Sequence, residues 1–177
     1  QPIAQDSVRA FRELGDEHYA MLATWLLAWM CRELGDRERS RALTEENVRR
    51  ARALGNERVE ARSLGSLAML ALDEGRLRDA VGILKEANRI HRDFGDRFEL
   101  ALDLCRFARA LAVAKRPGTA ARLLSAGEAL REEIGATPDS WLAIEVKLRE
   151  TLAAVRTQLD EAAFAEAWEQ GRTLTVD

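Results

Sequence analysis

The sequence predicts an all-α chain of antiparallel helix pairs on a 40-residue repeat, and three observations lead there. Glycines stand at Gly15, Gly35, Gly55, Gly75, Gly95 and Gly135, a spacing of 20 residues that is broken only at Lys115. Most follow a large apolar residue and precede Asp or Asn: Leu14-Gly15-Asp16, Leu34-Gly35-Asp36, Leu54-Gly55-Asn56 and Phe94-Gly95-Asp96. Alanine, leucine, arginine and glutamate dominate, with three prolines in 177 residues, a mixture that favours helix throughout.

Glycine takes the left-handed backbone conformation that ends a helix, and the Asp or Asn after it accepts from the free N–H groups of the next one. Each 20-residue step is therefore one helix and one tight turn. The predicted helices run over 3–14, 17–34, 37–54, 57–74, 77–94, 97–115 and 118–134. At Lys115 the glycine is missing, and Arg116-Pro117-Gly118 is expected to supply the stop instead. Turns this short make neighbouring helices antiparallel.

Odd and even helices differ, which sets the full repeat at 40 residues. Leu64, Leu67, Ala68, Ala71, Ala80, Leu84 and Ala87 recur in register as Leu104, Phe107, Ala108, Leu111, Ala120, Leu124 and Gly127. Small residues such as Ala28, Ala68 and Ala108 let helix backbones approach where they cross. The first repeat has Thr24, Ser40, Thr44 and Asn47 at these positions, a departure from the apolar stripe. The expected organisation is a half repeat over 1–15, full repeats over 16–55, 56–95 and 96–136, and a cap over 137–177. Residues 1–15 match a second helix without its first, so the solenoid is expected to extend further N-terminally and to end on an apolar face. In the cap, Thr137-Pro138-Asp139 opens a helix over 139–158 carrying Trp141, Ile144, Leu148, Leu152 and Val155. A shorter helix follows over 161–170.

Charge and composition exclude several function classes. The 27 basic and 30 acidic residues are dispersed and leave a net charge of -3, so no phosphate-backbone footprint is expected. The longest apolar run, Ala20 to Cys31, is shorter than the ~20 residues of a membrane span. Cys31 and Cys105 lie in apolar helical stretches and read as reduced thiols, and with no signal peptide the expected location is cytoplasmic. His18 and His91 have no second ligand at metal-site spacing, no nucleophile–base set is suggested, and Glu45-Glu46 and Glu132-Glu133 read as solvated helix faces. No catalytic residue, cofactor or metal is expected, and the chain reads as a non-enzyme.

The stretch from Leu64 to Ala87 around Gly75 resembles the tetratricopeptide pattern, in a unit longer than the usual ~34 residues. That resemblance implies a right-handed superhelix of helix pairs with a C-terminal helical cap. The longer unit is similar to the superhelical domain of large bacterial ATP-binding transcriptional activators of the LuxR class, including the maltose-regulon activator. Ala120 to Arg131 and Phe164 to Arg172 look like the segment closing the repeats in such regulators and in related cyclase-associated ATPases. No G-x-x-x-x-G-K-[ST] phosphate loop is present. The resemblance implies a protein- or ligand-sensing scaffold that biases the ATPase module of its own full-length chain. Other readings are a general interaction or oligomerisation scaffold and an inducer-binding domain.

In such a superhelix the first helix of each pair lines the concave face. The expected groove residues are Leu22, Trp25, Trp29 and Arg32, then Met69 and Leu72, then Leu102, Cys105, Arg109 and Val113. Trp25 and Trp29 lie four apart on one helical face, and two indoles there could wall an apolar groove for a peptide helix or an inducer, oriented by Arg109. Both tryptophans could equally be core. The arginines at 37, 39, 41, 49, 50 and 52 read as a solvated face laced with i,i+4 pairs, or as a dock for an acidic partner.

Overall fold

The computed structural model describes residues 2–136 and 142–174, with side chains from 147 onward in the second stretch. Among the described residues the chain is all-α, with nine helices: α1 (Pro2–Glu13), α2 (Glu17–Glu33), α3 (Arg37–Ala53), α4 (Glu57–Asp73), α5 (Leu77–Asp93), α6 (Arg97–Val113), α7 (Pro117–Glu133), α8 (Leu142–Arg156) and α9 (Glu161–Arg172). They pack in sequence as antiparallel pairs, as a helical repeat requires.

The turns show why the spacing is so regular. Gly15, Gly35, Gly55, Gly75, Gly95 and Gly135 all have positive φ. The first turn shows the bonds this conformation allows: Gly15 N–H donates to the carbonyl of Arg12 at 3.1 Å and Asp16 N–H to that of Phe11 at 2.9 Å, satisfying two orphan carbonyls. The residue after the glycine then caps the next helix: Asp16, Asp36, Asn56 and Asp96 each accept from a backbone N–H three residues on.

The sixth turn departs from the expected stop. Lys115 itself takes the left-handed conformation, with φ at 57°, and makes the same bonds from its own N–H to Ala112 and from Arg116 N–H to Leu111. Pro117 is the first residue of α7, and Arg116 provides no side-chain cap. In the cap, α8 is described from Leu142, so Thr137, Pro138 and Trp141 lie outside the described residues.

Contacts divide the chain into two compact units, Gln1–Ile90 and His91–Asp177. In the first, Ala4 and Val8 of α1 pack on Leu27 and Cys31 of α2, while Val48, Ala61, Leu64, Ala87 and Ile90 form a second cluster from α3, α4 and α5. The polar positions of the first repeat are buried too. Ser40 Oγ donates to the carbonyl of Ala28 at 2.7 Å, Thr24 and Thr44 each donate to the carbonyl four residues back, and Asn47 Nδ2 reaches the Met21 carbonyl and Ser63 Oγ. The hydroxyls and the Asn47 amide nitrogen of this seam are satisfied within it, while Asn47 Oδ1 is buried without a hydrogen-bond partner.

In the second unit, Leu100, Ala101 and Leu102 of α6 pack against Leu130 of α7. Ala108, Ala120, Ala121 and Leu124 meet Val155 of α8 and Phe164 and Ala167 of α9. Two glycines allow close approach here. A Cβ on Gly127 would lie 3.3 Å from the Ala101 carbonyl oxygen, and one on Gly171 only 2.3 Å from that of Arg122.

Candidate functional site

Within the first unit, α2 lies beside α4, and two side-chain ties join them. Trp25 Nε1 donates to Ser66 Oγ at 3.0 Å, and Arg32 Nε donates to Asp73 Oδ2 at 2.8 Å. Each tie spans 41 residues, one repeat plus one, so both follow from the repeat register. The Arg62 guanidinium lies 5.5 Å from the centre of the Trp25 ring, within cation–π range. Arg32 also pairs with Glu33 at 3.0 Å, and its side chain is only 10% exposed.

Of the expected groove residues in this unit, Leu22, Trp25, Trp29, Arg32 and Met69 are half-buried. Leu22 packs against Met21, Ala51 and Val59. Leu72 is a correction: it is 6% exposed and belongs to the core. The tryptophans are thus neither sealed inside nor free on the surface, and the polar end of Trp25 is already bonded within the fold. Such a surface offers indole and aliphatic area next to fixed charges.

In the second unit, Val113 is exposed, Cys105 and Arg109 are half-buried, and Leu102 is 5% exposed in the core, a second correction. Burial pushes the Cys105 thiol up to about 11, outweighing the nearby Arg131 and Arg106, so it is a protonated packing group at neutral pH.

The sequence reading missed a buried polar cluster in this unit. His91 Nδ1 meets Asp103 Oδ2 at 2.8 Å, and Arg106 Nη1 donates to Asp103 Oδ1 at 2.8 Å and to Glu99 at 3.5 Å. His91, Glu99 and Asp103 are each at most 3% exposed. For Arg106, burial opposes the cation, but Asp103 and Glu99 prevail and its pKa is raised. Asp103 stands at the register position of Ser63, the residue that Asn47 bonds in the previous repeat, so a charge replaces a hydroxyl there. Glu99, Asp103 and Arg106 at i, i+4 and i+7 on one face of α6 were the available signal. No group of three or more His, Cys, Asp or Glu among the described residues could hold a metal ion.

A cavity of about 270 Å³ in the second unit is lined by Leu124, Leu148, Leu152 and Trp168 together with Glu128 and Glu132. Glu132 is held by Arg172 at 2.6 Å, and that bond keeps its carboxyl below the usual range. The arginines of α3 carry the expected i,i+4 pairs, Arg41 with Glu45 at 3.6 Å and Arg50 with Glu46 at 3.7 Å, and also reach beyond their own helix: Arg50 to Glu17 of α2 at 2.5 Å, Arg41 to Glu74, and Arg52 to Glu60 and Glu86 at 2.6 and 2.7 Å. They tie neighbouring helices together. No helix among the described residues is long and apolar enough to cross a membrane. Comparison with protein-family models, curated proteins and solved structures finds no match for this chain.

Proposed function

We propose that this chain is a helical-repeat binding scaffold that senses a protein partner on the first-helix face formed by α2 and α4. The observation that carries the reading is the half-buried pair Trp25 and Trp29 on α2, with Trp25 bonded to Ser66 and Arg32 locked onto Asp73 of α4. Ties between the two helices fix the surface before any partner arrives, so little ordering is needed on binding. Nothing in the site has the geometry of a nucleophile with its base, and the reading is of binding without turnover by these residues.

The resemblance to LuxR-class regulators supplies the finer proposal. The scaffold acts as the regulatory segment of a bacterial cytoplasmic transcriptional regulator, in a right-handed superhelix, and transmits partner binding to an ATPase module in the same full-length chain. The test is nucleotide turnover and promoter binding by the natural full-length protein. Expected are both activities, with turnover altered by the Trp25→Ala, Trp29→Ala double variant; a natural protein with neither an ATPase nor a DNA-binding module removes the proposal. The cavity over Leu124, Leu148 and Trp168 favours a second reading, a small amphipathic inducer bound in the second unit. Protection of Trp168 fluorescence from a quencher by an inducer would favour it.

A further inference from the structure

The cavity that α7, α8 and α9 line carries charges of both signs beside an apolar wall, and this narrows the kind of small molecule it suits. We propose that it is a site for a free α-amino acid with an apolar side chain; the proposal rests on the second reading above, a small amphipathic ligand in the second unit.

The lining is ordered along α7. Leu124, Glu128 and Arg131 stand at i, i+4 and i+7, on one face of that helix. Leu152 of α8 and Trp168 of α9 pack on the cluster that contains Leu124, so this end is apolar. One to two turns further along α7, Glu128 and Arg131 bring opposite charges to the wall, and Arg149 of α8 adds a second cation.

These charges differ in how far they are already satisfied. Glu132 also lines the cavity, but it accepts from Arg172 at 2.6 and 3.4 Å and its carboxylate is committed. Glu128 is half-buried and forms no hydrogen bond or ion pair among the described residues; Arg172 feels its charge only through space. Arg131 and Arg149 interact within the protein, and a guanidinium has donors to spare for a further acceptor.

A ligand with a single charge fits this wall poorly. An apolar amine would satisfy Glu128 but set its ammonium near two guanidiniums. An apolar carboxylate would meet the guanidiniums but bring its charge near Glu128. A zwitterion matches both signs, with its ammonium on Glu128, its carboxylate on Arg131 or Arg149, and its side chain against Leu124, Leu152 and Trp168. The volume of about 270 Å³ lies just below the ~300 Å³ at which ligand pockets usually begin, which suits a molecule as small as an amino acid.

The experiment titrates the full chain with L-leucine, with isoamylamine, which lacks the carboxylate, and with isocaproate, which lacks the ammonium, following the Trp168 indole N–H by NMR. L-Leucine is expected to shift this resonance and to bind at least about tenfold tighter than either analogue, as the loss of one charge-assisted hydrogen bond requires. Glu128→Gln is expected to weaken L-leucine by a similar factor, with isocaproate bound no more weakly and the melting temperature unchanged. An analogue that binds as tightly as L-leucine, or L-leucine binding untouched by Glu128→Gln, would overturn the amino-acid assignment while leaving a ligand-binding cavity. No shift with any of the three would overturn it together with the amphipathic-ligand reading on which it rests.

Discussion

Replacing Gly171 by alanine should destabilise the cap although it improves helix propensity. Alanine favours a helix interior over glycine by about 1 kcal/mol. Here the added Cβ would lie 2.3 Å from the Arg122 carbonyl oxygen, 2.7 Å from Ser125 Cβ and 2.8 Å from Arg122 Cα. Two of these three atoms are backbone and have no rotamer to escape into, so α9 must move off α7 by about 1 Å to restore van der Waals distance. That motion costs about 1–3 kcal/mol in displaced packing and strains the bond from Ser125 Oγ to the Trp168 carbonyl, 2.6 Å long, worth about 1 kcal/mol. Subtracting the propensity gain leaves about 2 kcal/mol, or a melting temperature lower by roughly 4–8 °C for a chain of this size. The assay is thermal unfolding by circular dichroism, with Gly82→Ala as control: its Cβ would meet nothing within 4 Å, and Gly82 lies inside α5. The control should gain up to about 1 kcal/mol. Equal or greater stability of Gly171→Ala relative to the parent would refute the close approach of α9 to α7.

Other perturbations address other parts of the fold. Lys115→Gly removes a side chain from a left-handed position and should stabilise by about 1 kcal/mol, seen as a higher midpoint in urea. His91→Ala removes the imidazole partner of buried Asp103 and should destabilise by about 3 kcal/mol; a loss below ~1 kcal/mol in denaturant titration would show that the imidazole contributes little. The unfolded Cys105 thiol ionises near 9 and the folded one near 11, so the native state holds the proton longer. Its contribution to stability is complete below pH 9 and is lost as pH rises through 11, and Cys105→Ala should flatten the fall in melting temperature over that window.

Helix positions were legible because their signals are local. A left-handed glycine and a following Asp or Asn depend on three consecutive residues, and the predicted ends of α2 to α6 lie within two residues of those observed. Lys115 was missed because a lysine with positive φ carries no signal beyond the absent glycine. Leu72 and Leu102 were placed on the groove because periodicity fixes a helix face only to within about one residue, or ~100° of rotation, and a neighbouring helix decides the rest. The His91–Asp103 contact joins α5 to α6 across a turn, and neither residue reveals it alone. The polar seam of Ser40, Thr44 and Asn47 was visible as a departure, but its hydrogen bonds end on carbonyls and hydroxyls that only the packed helices bring within reach.

The central claim, a preformed binding face on α2 and α4, is tested most directly by Trp29→Ala in the natural full-length protein, read for melting temperature and for partner response together. Truncating a half-buried side chain should cost about 1–2 kcal/mol, less than the ~3–5 kcal/mol of a core tryptophan. The account predicts a melting temperature lower by no more than about 8 °C and a lost partner response. A response kept at parental strength would contradict it, and a fall well beyond that range would assign Trp29 to the core.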